Sequence, residues 1–182
     1  MTTFRILFCL AWLAVWPATS AAQWFVELDL DGTVGNGPDI VDVEVNDYVD
    51  GDLWLYGPAG VYSFGFIICS FDGALEDEGF TYYIPEVWTF APVIWNPGCY
   101  TVQATDFTFS EPIALPAMLA TIHYQAAVDQ TIANIVLQAG GYFDTTFGSG
   151  SVDNVGDTLA TVRIGVTSTE KSSWGAVKGL FR

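Results

Sequence analysis

Apolar and polar residues alternate along most of the chain with a period of two, the spacing of a strand that buries one of its faces. From Trp24 to Leu30, Trp24, Val26, Leu28 and Leu30 fall on one side and Phe25, Glu27 and Asp29 on the other. From Ile40 to Val45, Val41, Val43 and Val45 oppose Asp42 and Glu44. Asp52 to Tyr56 leads through Gly57-Pro58-Ala59-Gly60, a turn composition, into a long apolar and aromatic run from Val61 to Phe71, and the pair reads as a hairpin. Phe80 to Ile84, Tyr100 to Phe109, Leu119 to Val128, Ile132 to Leu137 and Thr158 to Val166 bring the total to about nine strands.

The stretch from Ala117 to Ala139 has no Gly or Pro and several Ala, so a helix competes there. Ala120, Ile122, Tyr124, Ala126 and Val128 nevertheless alternate with Thr121, His123 and Gln125, and Asp129-Gln130 offers a turn. Strand is the reading adopted. Short strands separated by turn signals, with almost no helix, predict an all-β fold, an immunoglobulin-like or jelly-roll β-sandwich.

The first 22 residues stand apart. Met1 to Arg5 carry one positive charge, Ile6 to Trp16 are apolar, and Pro17 to Ala22 are small, the three regions of a secretory signal peptide. The domain then runs from 23 to 166 and a tail from 167 to 182. Eleven apolar residues are too few to span a bilayer, which takes roughly 20, so no transmembrane segment is expected and the product is placed outside the cell or at its surface. All 21 Asp and Glu and four of the five Lys and Arg lie beyond residue 22, leaving that part with a formal charge of −17. Such a surface excludes nucleic acid as a partner, because phosphates need clustered cations. Cys9 leaves with the leader, and Cys69 and Cys99 remain. In an exported chain one bridge between them is the natural reading, and two buried free thiols are the alternative.

Gly60-Val61-Tyr62-Ser63-Phe64-Gly65-Phe66, continuing through Ile67-Ile68-Cys69 to Phe71-Asp72, resembles the signature strand of cohesin-type modules. Leu119-Ala120-Thr121-Ile122-His123-Tyr124 resembles a later cohesin strand, and Asp157 to Gly165 would be the closing one. The resemblance covers roughly residues 38 to 166. It implies a nine-stranded jelly-roll sandwich that binds a protein partner, the dockerin module, on a sheet face. The Cys69 and Cys99 pair and the Trp-bearing segment from 85 to 97 depart from that pattern.

Three other constellations carry chemistry. Phe25 to Val34 is similar to the first motif of haloacid-dehalogenase-type phosphatases, which implies Asp29 as nucleophile and Asp31 as acid/base around Mg²⁺. That chemistry also needs a Lys and a parallel α/β sheet, whereas the two Lys stand at 171 and 178; an acidic strand end running into a turn is the plainer reading. His123, the sole His, falls on a polar strand face without a nucleophile motif beside it, so no enzyme is expected. Calcium is the one cofactor considered, since hard cations take carboxylate oxygens. Its candidate ligands are Asp29, Asp31 and Asp39 around one Gly-bearing loop, and Asp144, Asp153 and Asp157 around another.

Aromatic residues carry the competing function. Trp54, Tyr82, Tyr83, Trp88 and Trp95, with Tyr56, would form a platform for a polysaccharide if their rings lie exposed and coplanar, and core if they are buried. In the tail, Lys171, Trp174, Lys178, Phe181 and Arg182 combine cations with apolar residues, and Trp174, Val177 and Phe181 fall at helical spacing. This ending resembles short Trp-Gly-x-x-Lys-x-Leu-[FY]-Arg tails on exported bacterial proteins and implies a sorting or attachment role. The sequence thus reads as a secreted, non-catalytic binding or structural module engaging a protein partner. A carbohydrate-binding module, with or without calcium, is the alternative, and a secreted phosphatase comes third.

Overall fold

The computed structural model describes residues 23–35, 38–70, 73–90, 98–129 and 131–165. Among them are eleven strands: β1 (Phe25–Asp29), β2 (Asp39–Val43), β3 (Tyr48–Tyr56), β4 (Val61–Ser70), β5 (Leu75–Tyr82), β6 (Thr89–Phe90), β7 (Cys99–Thr105), β8 (Ala117–Ala126), β9 (Thr131–Asp144), β10 (Ser149–Ser151) and β11 (Thr158–Ile164). The nine expected strands are present, and the short β6 and β10 add to them. The segment that invited a helix forms β8 and most of β9. The leader, Trp95 and the tail lie outside the described residues.

Four strands in the order β1-β3-β8-β5 make one sheet, and β2-β11-β9-β4-β7-β6, with β10 added to the end of β9, make the other. The pairs are antiparallel except β2 with β11. The core lies between the sheets: Leu28, Leu53, Leu55, Ile122 and Tyr124 come from the first, and Phe64, Phe66, Ile68, Val102, Ile135, Leu137, Val162 and Ile164 from the second, all buried. The Tyr100 and Tyr124 rings meet across the interior, their centroids 5.2 Å apart.

The expected hairpin between the third and fourth strands is not formed. β3 pairs with β1 and β8, whereas β4 pairs with β7 and β9. Each of these two strands carries its own alternating apolar face, and placing them in opposite sheets lets those faces cover each other.

The N-terminal strand is fastened by side chains from far along the sequence. The Asn154 side chain accepts the Val26 amide (3.1 Å) and donates to the Val26 carbonyl (2.7 Å), as a neighbouring strand would. The Trp24 amide donates to the Asp153 carboxylate (2.9 Å), and the Trp24 ring stacks on Tyr142 at 3.7 Å. Residue 57 is Gly because a Cβ there would enter the Trp24 ring.

Two turns at one end of the sandwich are organised by buried aspartates. Asp106, fully buried, accepts the Thr108 amide (2.8 Å) and hydroxyl (2.5 Å) on one oxygen and the Ser110 (2.8 Å) and Glu111 (2.9 Å) amides on the other. Asp144 accepts the Thr146 amide (2.8 Å), the Thr146 hydroxyl (2.7 Å) and the Gly148 amide (2.9 Å). Burial pushes the Asp106 carboxyl up, but the Glu111 amide and the Thr108 and Ser110 donors outweigh it and hold it at about 2. Asp144 is likewise held below the ordinary value, its burial offset by Thr146 and Gly148.

Cys69 on β4 and Cys99 on β7 are directly opposed and form a disulfide, with Cα atoms 4.0 Å apart. Replacing both by Ala should destabilise the domain by about 3–4 kcal/mol, the entropy of an unclosed loop of some 30 residues, read as a lower urea midpoint. Because the folded carboxyl of Asp106 is depressed below an unfolded value near 4, its contribution is complete above about pH 4 and is lost as pH falls toward about 2. Asp106→Asn places an amide NH₂ against backbone donors. The variant should melt at lower temperature near neutrality and lose less than the parent between about pH 4 and 2.

Candidate functional site

Since the odd-numbered residues of β3 from Val49 to Leu55 point into the core, the even-numbered ones form the outer face. Tyr48, Asp50, Asp52, Trp54 and Tyr56 therefore stand outward on β3. The register sets Asp50 beside His123 and Asp52 beside Thr121 of β8, and Thr81 of β5 beside Thr121. Two cross-strand networks result. His123 Nδ1 lies 2.7 Å from Asp50 Oδ1, and its Nε2 lies 3.1 Å from the Thr81 hydroxyl. The Thr121 hydroxyl donates to Asp52 at 2.6 Å and lies 3.3 Å from the Tyr83 hydroxyl. With Nδ1–H donating to Asp50, Nε2 accepts from Thr81, and the imidazole is held in one orientation at the centre of the face.

The sequence placed His123 on a polar face beside Thr121 and Gln125, and the register agrees. Its partners Asp50 and Thr81 are 73 and 42 residues away, a separation no local motif reveals. The order carboxylate, imidazole, hydroxyl is that of a nucleophile relay. Here Asp50 and Thr81 are exposed and His123 is half-exposed, so water screens the charges and the arrangement positions polar atoms on a surface rather than sheltering a reaction. What it offers chemically is a fixed set of hydrogen-bonding groups, with carboxylate acceptors foremost.

At the edge of the same sheet the first predicted calcium group does converge. The carboxylate oxygens of Asp29, Asp31 and Asp39 lie within 4.8 Å of one another. Asp29 accepts the amides of Asp31, Gly32 and Thr33, and Asp39 accepts those of Leu30 and Asp31. Burial, followed by the neighbouring Asp31 and Asp29 charges, raises the Asp39 carboxyl despite the Leu30 and Asp31 amides. The cluster can take a hard cation, and without one the loop amides supply the positive partial charge. The second group does not come together as a site: Asp144 organises its own turn, Asp153 holds Trp24, and Asp157 lines a cleft of about 490 Å³ with Phe25, Glu27 and Pro38. In that cleft Glu27 accepts the Gly35 amide (2.7 Å), and burial, followed by the hydrogen-bonding and then the charge of Glu27, drives the neighbouring Tyr56 phenol upward. The phosphatase reading of Asp29 and Asp31 fails on the fold, because β1 is an edge strand of an antiparallel sandwich and not the central parallel strand that chemistry requires.

The predicted aromatic platform does not form among the described residues. Trp88 is buried, with its ring against Phe64 and its indole N–H donating to the Glu111 carbonyl (2.8 Å). Tyr82 packs against the core, its phenol raised to about 12 by burial, and meets Phe80 edge-on at 84°. Trp54 stands on the outer face and Tyr83 is exposed beside Thr121. Trp54 and Tyr83 share the outer face while Trp88 and Tyr82 are turned toward the core, so among the described residues the predicted rings do not make one exposed row.

No protein-family model matches the chain, and no curated protein sequence matches it. Solved structures do. A cohesin module from a Clostridium perfringens family 33 glycoside hydrolase superposes with a TM-score of 0.59 at 12% identity, covering 79% of this chain and 97% of the module. A chain of a type I cohesin–dockerin complex from Clostridium thermocellum gives 0.57 at 14% identity, covering 76% and 98%. A non-cellulosomal cohesin from the archaeon Archaeoglobus fulgidus gives 0.55 at 14%, covering 85% and 98%. The two motifs that resembled cohesins occupy β4, inside the larger sheet, and β8, inside the smaller one. At these identities the likeness is one of architecture: the chain has the cohesin-type β-sandwich fold.

Proposed function

We propose that this protein is an extracellular, non-catalytic docking module that takes a dockerin-like protein partner on the outer face of the β1-β3-β8-β5 sheet. The observation that carries the reading is the pair of networks on that face, Asp50–His123–Thr81 and Asp52–Thr121–Tyr83. They hold acceptors and donors in fixed positions on a broad surface, which favours a partner of comparable breadth over a small molecule. Fold likeness to cohesins, one of them seen with its dockerin, supports the same choice, and the signal-like leader with the Cys69–Cys99 bridge supports an oxidising, external location. Because the fixed groups include Asp50 and Asp52, with Glu76 exposed beyond them, the partner should present hydroxyl, amide and cationic donors. With Trp88 and Tyr82 packed inward, the carbohydrate reading has no comparable support among the described residues.

The test is retention of partners from the source organism's extracellular proteins on immobilised protein, with the parent compared to Asp52→Ala/His123→Ala. These side chains are outside the core, so the variant should melt within a few degrees of the parent. The parent should retain a protein that the variant binds at least about tenfold more weakly, and higher salt should weaken it further. Equal retention by parent and variant, or no retained protein, would overturn the proposal.

A further inference from the structure

The two aspartate turns share a sequence pattern: Asp106-Phe107-Thr108-Phe109-Ser110 and Asp144-Thr145-Thr146-Phe147-Gly148 both read Asp-x-Thr-Phe-small. In each, the Phe three residues after the Asp has a positive φ, 54° at Phe109 and 63° at Phe147. Bulky L residues rarely adopt this conformation, and Gly or Asn would occupy it with less strain. The strain is not repaid by burial, because Phe147 is 69% exposed and Phe109 47%, with Phe107 on the same turn at 71%. Strained backbone that displays apolar rings to water points to use of the rings.

The rings form one group. Phe109 meets Tyr62 edge-on at 5.3 Å, Phe143 at 5.9 Å and Phe147 at 6.3 Å, and Phe143 meets Phe147 at 6.0 Å. Their planes are inclined by 35° to 90°, so they offer edges and gaps for side chains rather than a flat stacking surface for a sugar. At the same end of the sandwich, Pro58, Ala59, Pro112 and Leu115 line a cleft of about 310 Å³ that reaches Thr145 of the second turn.

We propose that these two turns are a docking site for residues 171–182 of a second copy of this chain, so that copies join head to tail. Charge selects the occupant. Residues 23 to 169 hold 20 acidic residues and one base, Arg163, and that base is engaged by Asp42 through two hydrogen bonds of 2.6 and 2.8 Å. Residues 171–182 carry Lys171, Lys178 and Arg182 alongside Trp174, Val177 and Phe181. Asp106 and Asp144 are buried and engaged by their own turns, so the exposed charge beside the rings is the Glu111 carboxylate; a cation fits there and over the Phe faces while Trp174 and Phe181 fill apolar space. A symmetric contact between two acidic bodies would instead oppose like charges.

Length keeps the copy's own Trp174 from the site, so only a second copy can seat Trp174 together with Phe181. Ile164 pairs with Thr131 at one end of β9, while the Phe cluster lies at its other end around Phe143. That 14-residue strand covers about 40 Å at the usual rise of about 3.3 Å per residue. Trp174 stands nine residues beyond Gly165, at most about 30 Å of extended chain. A head-to-tail contact of this kind builds a series of species unless the rotation between copies closes it into a ring.

The experiment is sedimentation of the purified full chain across a concentration series, with a synthetic peptide of residues 166–182 as competitor. The mean mass should rise above that of one chain with concentration, fall back when the peptide is added, and fall back in high salt. Phe109→Asn/Phe147→Asn should weaken association at least about tenfold without lowering the melting temperature, because Asn suits the left-handed region. Should that variant melt early, Phe107→Ser supplies the second test: it leaves both left-handed positions intact and should weaken association in a normally folded chain. One-chain mass at every concentration, or association that the peptide and the turn variants leave unchanged, would overturn the proposal. So would association abolished by Trp174→Ala/Phe181→Ala yet indifferent to the turns, since it would place the tail elsewhere.

Discussion

Two alternating apolar faces buried against each other constrain everything else in this molecule. Once Leu53 and Leu55 of β3 and Ile122 and Tyr124 of β8 point inward, the period of two sends Asp50, Asp52, Thr121 and His123 outward together. The polar face is therefore a consequence of the core. Any register slip of one residue would drive Asp50 and His123 into the interior and expose Leu53, an exchange the sheet resists strongly.

The same constraint explains how the ends of the sandwich are finished. Where the chain crosses to the other sheet after β7, or folds back within the same sheet after β9, the amides freed at the turn have no ladder partner. Asp106 and Asp144 satisfy them with carboxylate oxygens, which is why two acids can be buried in a chain already crowded with negative charge. Asp29 and Asp39 do the same for the loop after β1. Much of the acidic composition is thus structural at short range, while its sum repels other acidic bodies at long range.

The two proposed docking surfaces divide along the same line. The outer face of the smaller sheet is assembled from regular strands, so its polar groups are positioned by the ladder and change little on binding. The Phe-bearing turns are held by local hydrogen bonds around strained residues and display apolar rings at one end. A face for one kind of partner and an end for another are compatible because they occupy different surfaces of a rigid sandwich.

How much of this was legible in the sequence follows from the range of the interactions. Period-two alternation is local, so strand identity was readable even from 117 to 139, where composition suggested a helix, and so was the outward position of His123. Pairing of Cys69 with Cys99 followed from an even count beyond a leader-like segment. The convergence of Asp29, Asp31 and Asp39 was legible because they are close in sequence. Which strand pairs with which was not: β3 and β4 read as a hairpin, and only the competition to cover two apolar faces sends them to opposite sheets. The partners of His123, the burial of Trp88 and the separate fates of Asp144, Asp153 and Asp157 depend on contacts between distant segments, as does the gathering of Tyr62, Phe109, Phe143 and Phe147. Sequence by itself determined the elements, because backbone periodicity and turn chemistry act over a few residues. Tertiary structure decided the sites, because they are made where elements far apart in the chain are packed side by side.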